Sequence, residues 1–427
     1  MKWMHLSDLH LGKRVNGFSM LEDQRFVLDQ ILTMAREEEI DAALLCGDIY
    51  DKSVPSAEAV ECFDEYLSRL AEVCPVYLIS GNHDSAERLA FGGRLMTAAR
   101  VYVSPVYDGT VRTVQQEDAH GTVCFHLLPF LKPVQVRPYF PDQEISSYTD
   151  AVRAALSGID LNDGKRHVLL AHQFVTGSER CESEEMSVGG SDNVDARVFE
   201  GFDYVALGHL HGPQRAGGDH IRYCGTMLKY SFSEVDHKKS VTFVQLGEKG
   251  ELTITTRPLT ALHDMKVIRG RYEQLMDLAY YHGTDLPESY LHIVLTDEEP
   301  VPEALYRLRT VYKNIMKLTY DNTRTRQQQN PHGEQVEPEM SPLALFGLLY
   351  EKQNNRPLSP EQTEYMEALI GNIWIYKFTI LIANRKLLSA TIFSINFQLS
   401  IFNFPFNSSS PASSAHPRNT GAGGRRP

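Results

Sequence analysis

The chain has 427 residues, which is enough for one large buried core and one or two smaller units. Acidic residues outnumber basic ones by 55 to 42, and the net charge of −13 argues against broad electrostatic capture of nucleic acid, although a local basic patch or a partner could still attract it. The six cysteines are scattered, so we expect reduced thiols in a cytoplasmic protein, and the apolar run at the N-terminus leaves no room for a signal peptide.

Five short apolar runs are each followed closely by residues that bind metals in proteins. The runs are residues 3–6, 43–46, 76–79, 168–171 and 204–207. The polar residues that follow them are Asp8 and His10, then Asp48, then Asn82 with His83 and Asp84, then His172, and finally His209 with His211. Short apolar runs are typical of buried parallel strands, whose carboxyl ends meet at one edge of a sheet. The sequence therefore predicts a metal site with more than one ion at that edge.

Helical patterns alternate with these runs. Residues 21–38 and 57–73 carry apolar side chains at helical spacing with charged residues between them, and the alternation predicts an α/β fold with helices covering the sheets. Residues 241–258 contain two strand-like runs around Gly-Glu-Lys-Gly and predict a hairpin. Residues 179–195 are polar and acidic, which indicates a long surface loop near His172.

The pattern changes after a first domain that we place at residues 1–260. Residues 261–322 predict a smaller unit of strand, helix and strand, with the strands at 290–295 and 315–320 and the helix at 302–312.

The C-terminal part divides into three segments. Residues 323–340 are polar and predict a linker. Residues 341–372 predict two amphipathic helices, 342–353 and 359–370, and a Ser-Pro-Glu-Gln sequence predicts the N-terminal cap of the second. Residues 373–427 contain no acidic side chain, and we expect this tail to lie outside the fold. It could be an aggregation-prone appendage, a partner strand, or translation beyond a frameshift, which we favour, and seven polar residues in its twenty-residue apolar stretch argue against a membrane span.

The ordered motifs Asp-x-His, Gly-Asp-x-x-Asp, Gly-Asn-His-Asp, a lone His and Gly-His-x-His resemble those of the calcineurin-like metallophosphoesterases. Residues 8–13, 171–175 and 202–211 resemble more narrowly the SbcD family, the nuclease subunits of SbcC–SbcD complexes, and the resemblance extends over about residues 1–372. It implies a sandwich of two mixed sheets flanked by helices, a small α+β capping domain at 261–322 that helps to position DNA, and a C-terminal helical pair that docks on the SbcC ATPase.

The resemblance also implies the ligands of two divalent ions. Neighbouring cations repel each other, so a bridging carboxylate is expected, and Asp48 is the candidate. The remaining ligands are implied to be Asp8, His10 and His211 for one ion, and Asn82, His172 and His209 for the other. Four imidazoles favour Mn²⁺ over Mg²⁺, which prefers oxygen ligands.

His83 is implied to act on the substrate rather than on a metal. It would stabilise the transition state or protonate the leaving oxygen, with Asp84 orienting its ring. We expect Asp51 to support the site from outside the ligand shell and His5 to be a packed strand residue. Three basic residues near the motifs could contact phosphates or merely be solvated, and they are Lys13, Arg14 and Arg88.

The metal motifs alone predict phosphoester hydrolysis without specifying the ester. Protein phosphatases of this superfamily usually carry Asp-Arg-Gly where this chain has Asp51-Lys52-Ser53, so a small phosphomonoester suits the site less well. The resemblance implies a nuclease that cuts double-stranded DNA ends and hairpins in repair and recombination, working as a homodimer with two SbcC-type ATPase subunits. The alternatives are a stand-alone phosphodiesterase or phosphatase acting on nucleotides or small phosphoesters, and a non-enzymatic scaffold for the ATPase.

Overall fold

The computed structural model describes residues 1–179, 181, 184, 192–323, 325–326, 341, 343, 346–347, 350 and 357–381, with side chains in the last helix only to residue 370. The chain divides into two units, Met1–Asn330 and Pro331–Pro427.

The secondary structure alternates over most of the first unit. Its strands are β1 (Lys2–Leu6), β2 (Arg14–Val15), β3 (Phe18–Ser19), β4 (Ala42–Cys46), β5 (Val76–Ile79), β6 (Val101–Val103), β7 (Arg112–Asp118), β8 (Gly121–Leu127), β9 (Arg166–His172), β10 (Phe174–Val175), β11 (Asn193–Val194), β12 (Tyr204–Gly208), β13 (Gln214–Arg215), β14 (Ile221–Tyr223), β15 (Ser240–Leu246), β16 (Leu252–Pro258), β17 (Met265–Gly270), β18 (Tyr290–Leu295) and β19 (Ile315–Tyr320). The helices are α1 (Leu21–Glu37), α2 (Ala57–Val73), α3 (Ala86–Leu89), α4 (Gly93–Met96), α5 (Pro133–Val136), α6 (Tyr148–Leu156), α7 (Tyr272–Leu275), α8 (Leu278–Tyr281) and α9 (Ala304–Leu308), with α10 (Pro360–Leu381) in the second unit.

Two mixed six-stranded sheets form the main domain, which confirms the predicted α/β sandwich. The first sheet has the order β16-β15-β1-β4-β5-β6 and the second β13-β14-β12-β9-β8-β7. In each sheet the central strands are parallel and an antiparallel pair closes at least one edge. The predicted hairpin is the β15–β16 pair.

Side chains on alternate residues of the strands form the layer between the two sheets. The ring of Tyr77 in the first sheet stacks on Phe125 in the second at a centroid distance of 4.2 Å, and Trp3 meets Phe125 edge to face at 5.9 Å. The opposite face of the first sheet packs on α1 and α2. Strands buried on both faces are apolar at every position, which is why β4 reads as a continuous apolar run.

The parallel register places the carboxyl ends of the central strands at the same edge. β1 pairs with β4 up to Leu6 and Leu45, and β9 pairs with β12 up to His172 and Gly208. The polar residues that follow these strands therefore emerge side by side.

The capping segment contains an all-parallel sheet with the order β17-β18-β19 and an apolar core of its own. The strands predicted at 290–295 and 315–320 are β18 and β19. The prediction of only two strands is wrong, because β17 precedes them at the edge of the sheet, where Lys266 and Arg269 interrupt its apolar residues. The predicted helix is shorter than expected, since α9 covers only Ala304–Leu308.

In the second unit, the predicted cap at Ser359 is present. The Gln362 backbone N–H donates to Ser359 Oγ at 3.3 Å, and the Ser359 N–H donates to Gln362 Oε1 at 3.0 Å. Helix α10 continues past the predicted end at residue 370 to Leu381, so the first residues of the predicted tail are helical. Most of the predicted linker, part of the first predicted helix and residues 382–427 fall outside the described residues.

Most of the surface loop predicted at 179–195 lies outside the described residues. Glu179 is exposed as expected, but other described positions contradict the prediction. Residues Asn193–Val194 form β11 and pair in parallel with β10, while Glu184 is buried and accepts a hydrogen bond from the His211 backbone N–H at 2.7 Å. Among the described helices, none combines the length and apolar character needed to cross a membrane.

Candidate metal centre

The seven residues predicted as metal ligands converge at the carboxyl ends of the central strands. They are Asp8, His10, Asp48, Asn82, His172, His209 and His211, and all but Asn82 are buried. Asp48 lies centrally, with its Oδ2 atom 3.8 Å from His10 Nε2 and 3.3 Å from His172 Nε2. Such a position is suited to a carboxylate that bridges two cations.

Two groups of side chains flank Asp48. On one side, the Nε2 atoms of His10 and His211 are 3.2 Å apart. On the other, Asn82 Oδ1 is 3.0 Å from His172 Nε2 and 3.0 Å from His209 Nδ1. The first group contains two of the three residues that the resemblance implies for one ion, and the second contains all three implied for the other.

The backbone is strained where it presents these side chains. Asp8, His10, Asp48 and His209 have φ angles of 53°, 46°, 49° and 104°, in the left-handed region that non-glycine residues rarely adopt. Each such residue costs about 1–3 kcal/mol, which the surrounding sheets must offset. The strands thus end in abrupt turns that aim successive polar side chains at a single point.

Two glycines permit the close approach of neighbouring turns. A Cβ atom at Gly81 would lie 2.1 Å from Asp48 Oδ1, and one at Gly208 would lie 2.0 Å from the Cys46 carbonyl oxygen. Any side chain at either position would displace the turns, so the glycines of the Gly-Asn-His and Gly-His-x-His motifs are required by packing.

Hydrogen bonds set the imidazole tautomers. His172 Nδ1 donates to the Cys46 carbonyl at 2.8 Å, and His211 Nδ1 lies 3.3 Å from the carboxylate of Glu234. When these rings are neutral, they present Nε2 lone pairs inward, where His172 Nε2 lies 3.3 Å from Asp48 Oδ2 and 3.0 Å from Asn82 Oδ1. Lone pairs that converge in this way repel each other unless a positive charge lies between them, so these residues fit divalent cations.

The carboxylate of Asp48 favours a positive charge beside it, whereas burial opposes charge on other members of the cluster. Burial would lower the pKa of His172, but the charge and hydrogen bond of Asp48 raise it to about 9. Burial raises the pKa of Asp8 to about 6, and it lowers the pKa of His10 well below its usual value. The pKa of Asp48 lies below its usual range, because the neighbouring histidines outweigh its burial.

His83 lies beside the cluster with its ring held by the backbone. Its N–H donates to Asp48 Oδ1 at 2.9 Å, its Nδ1 lies 3.0 Å from the Asp51 carbonyl oxygen, and its Nε2 is 3.9 Å from Asp48 Oδ2. Because Nδ1–H donates to that carbonyl, Nε2 is the atom available to a substrate.

The prediction that Asp84 orients the His83 ring is wrong. The Asp84 carboxylate accepts hydrogen bonds from the backbone N–H groups of Gly81, Tyr50 and Ile49 at 2.9, 3.0 and 3.2 Å. Asp84 therefore fixes the loops after β4 and β5 to each other. A carboxyl group next to a histidine in sequence accepts hydrogen bonds from the nearest unpaired N–H groups. The positions of those groups depend on the folded loops and cannot be derived from the sequence.

Sequence reasoning missed Glu234 and Lys239. Glu234 is fully buried, and its Oε2 accepts from Lys239 Nζ at 2.6 Å while its Oε1 faces His211. Glu234 follows His211 by more than twenty residues without a recognisable motif, so no local signal could have identified it.

The other residues considered from sequence occupy supporting positions. His5 is buried against the Tyr204 hydroxyl at 2.9 Å, as expected for a packed residue. Lys13 Nζ donates to Asp51 Oδ1 at 2.7 Å, and Arg88 donates to the Ser53 carbonyl at 2.9 Å.

Comparison with known families agrees with this geometry. Residues 1–213 match the calcineurin-like phosphoesterase family, and residues 261–354 match the SbcD_C family, the type 5 capsule protein repressor C-terminal domain. The fold and the site thus define a calcineurin-like phosphoesterase, a metal-dependent phosphodiester hydrolase.

Curated relatives narrow the class further. The SbcD component of the nuclease SbcCD from Staphylococcus epidermidis is 32% identical over 75% of this chain and 85% of that protein, and its counterpart from Staphylococcus saprophyticus is 32% identical over 75% and 84%. The chain belongs to the SbcD family of nuclease subunits.

Similar solved structures include a dimetal phosphatase from Danio rerio, with a TM-score of 0.37, 12% identity and coverage of 60% of this chain and 96% of that one. GAP50, the anchor in the inner membrane complex of Plasmodium, has a TM-score of 0.38 and 11% identity, with coverage of 62% and 90%.

Proposed function

We propose that this chain cuts double-stranded DNA at ends and in hairpins, as the nuclease subunit of a complex with an SbcC-type ATPase in DNA repair and recombination. The observation that carries the proposal is the convergence of carboxylate, amide and imidazole donors around Asp48. Two divalent ions in such a site would supply a hydroxide nucleophile and neutralise charge on the phosphoryl oxygens.

The contacts of these side chains support the ligand roles that the family resemblance implies. Asp48 would bridge the ions, since its Oδ2 atom faces a histidine of each set. The first set comprises Asp8, His10 and His211, and the second comprises Asn82, His172 and His209. Four imidazole nitrogens in one site favour Mn²⁺ or another transition ion over Mg²⁺.

His83 is proposed as the catalytic residue that acts on the leaving oxygen. Its Nδ1–H stays bonded to the Asp51 carbonyl, so Nε2 can carry the proton that is transferred. Asp84 is a positioning residue, because its carboxylate holds the loop that bears His83 through three backbone hydrogen bonds.

Partners follow from the family relationship. The curated relatives are SbcD components of the nuclease SbcCD, and we propose that this chain pairs with an SbcC-type ATPase through residues 341–372, in the cytoplasm. A homodimer is proposed as well, and Phe91 and Leu95 are suited to such a contact because their side chains are 83% and 82% exposed. With a net charge of −13, binding of DNA would rely on local contacts and on the partner.

A nuclease assay tests the proposal. Blunt and hairpin duplexes are incubated with the full chain, with and without the ATPase and ATP, across a panel of divalent ions, and cleavage with Mn²⁺ is expected. His172→Asn should abolish cleavage, whereas the exposed His120→Asn serves as the matched control. Hydrolysis of a chromogenic phosphomonoester without duplex cleavage would favour a stand-alone phosphatase. Absence of both metal binding and hydrolysis would favour a scaffold.

A further inference from the structure

Two phenylalanines that the proposed chemistry does not use lie against the second ligand set. The Phe130 ring centroid is 6.2 Å from that of His172, and the Phe174 centroid is 6.5 Å from that of His209. The two histidine rings are themselves 5.3 Å apart. The four rings therefore form one continuous series of contacts beside the metal ligands.

The environment of the two phenylalanines differs from that of core residues. Both are half-buried, whereas His172 next to them is fully buried. Within the described part of the chain, Phe130 belongs to none of the four buried apolar clusters, and Phe174 only borders one of them. Phe130 also contacts the ring of Tyr148 at 6.5 Å, and both phenylalanines keep part of their surface exposed next to His172 and His209.

Hydrogen bonds hold the backbone that carries both rings. The Phe130 N–H donates to the Ser80 carbonyl at 2.9 Å, two residues before Asn82. Phe174 belongs to β10 and pairs with Asn193 of β11. Rings carried by fixed backbone lose little conformational freedom on binding, so they are suited to contacting a ligand.

We propose that Phe130 and Phe174 stack on a nucleobase next to the scissile phosphate. This inference rests on the proposed function, because only a nucleic-acid substrate brings a base to the site. Every base has a π-face, so stacking tolerates any sequence, as a nuclease for DNA ends requires. A paired base inside a duplex is covered by its neighbours, and the two rings therefore favour frayed ends and unpaired hairpin loops.

The test compares oligonucleotide ends that differ only in one base. In separate substrates, the base is removed on the 5′ or on the 3′ side of the phosphate that is cut, and kcat/KM is measured with Mn²⁺ for the full chain. On one side, removal of the base should lower kcat/KM roughly tenfold in the unmodified protein. Phe130→Ala and Phe174→Ala should lower kcat/KM roughly tenfold for the complete substrate but leave the abasic substrate unchanged.

Two further variants serve as controls. Phe174→Trp keeps an aromatic face and should retain the dependence on the base. Phe26→Ala removes a phenylalanine of α1 that is 40% exposed and should behave like the unmodified protein on every substrate.

The possible failures can be told apart. If the alanine variants still cut DNA and keep the full effect of base removal, the stacking role is wrong and the proposed function stands. If they lower cleavage of complete and abasic substrates equally, the rings only position His172 and His209, which also overturns the inference. If the unmodified protein hydrolyses a chromogenic diester but no DNA, the proposed function itself fails.

Discussion

Replacing Glu234 with glutamine should weaken metal binding from a position outside the ligand set. The Glu234 carboxylate is fully buried between His211 Nδ1, 3.3 Å away, and Lys239 Nζ, 2.6 Å away. Despite burial, these two neighbours hold the pKa of Glu234 below its usual range, so the side chain is ionised at neutral pH. Its negative charge makes His211 a better donor to a cation.

Two magnitudes follow for Glu234→Gln. Loss of a carboxylate that orients a metal-binding histidine lowers metal affinity by about 10–100-fold. Lys239 is only 7% exposed and would lose its counter-charge, which costs about 3–5 kcal/mol of folding stability. Glutamine keeps an oxygen acceptor and the size of the side chain, so we expect a loss of folding stability of about 3 kcal/mol, the lower end of that range.

Lys239→Met is the matched control because it breaks the same ion pair from the other side, although it also removes the hydrogen bond from Lys239 Nζ to the His211 carbonyl at 3.0 Å. It should lower the free energy of unfolding by a similar amount but keep the Glu234 carboxylate next to His211. The Mn²⁺ affinity should therefore stay within about twofold of that of the unmodified protein. Urea unfolding measures stability, and isothermal titration with Mn²⁺ measures affinity. Equal Mn²⁺ affinity in Glu234→Gln and the unmodified protein, or an equal loss in both variants, would refute the reasoning.

Three further changes test other parts of the site and fold. His83→Ala should keep Mn²⁺ affinity while turnover falls by about 10²–10⁴-fold, and loss of Mn²⁺ binding in titration would instead make His83 a ligand or a structural residue. Asp84→Asn should lower stability by about 1–3 kcal/mol in urea, because the amide group meets backbone N–H donors, and unchanged stability would argue against the loop-fixing role. Burial lowers the pKa of His126 from 6.5 to about 4, so its neutral form favours the fold above pH 6.5, and up to about 3 kcal/mol is lost as pH falls towards 4. His126→Gln should flatten that acid loss, and an unchanged pH profile of urea unfolding would contradict the assignment.

Much of the site could be predicted because its signals are local. Each ligand closely follows an apolar run, and the parallel pairing of those runs brings their ends together. The glycines next to Asn82 and His209 mark the close turns in advance, since no other residue fits at Gly81 or Gly208. The bounds of strands β18 and β19 could also be predicted from the pattern of their apolar residues.

The amino-acid sequence alone was enough to establish the α/β class, the order of the metal-binding motifs and the family, because these depend on periodicity and on residues close together along the chain. The folded chain was needed to show that Glu234 supports His211, that a carbonyl rather than Asp84 holds the His83 ring, and that β17 completes the third sheet. These contacts join distant segments or depend on loop geometry. A polar group pairs with whichever partner folding brings nearest, and sequence spacing carries no record of that distance.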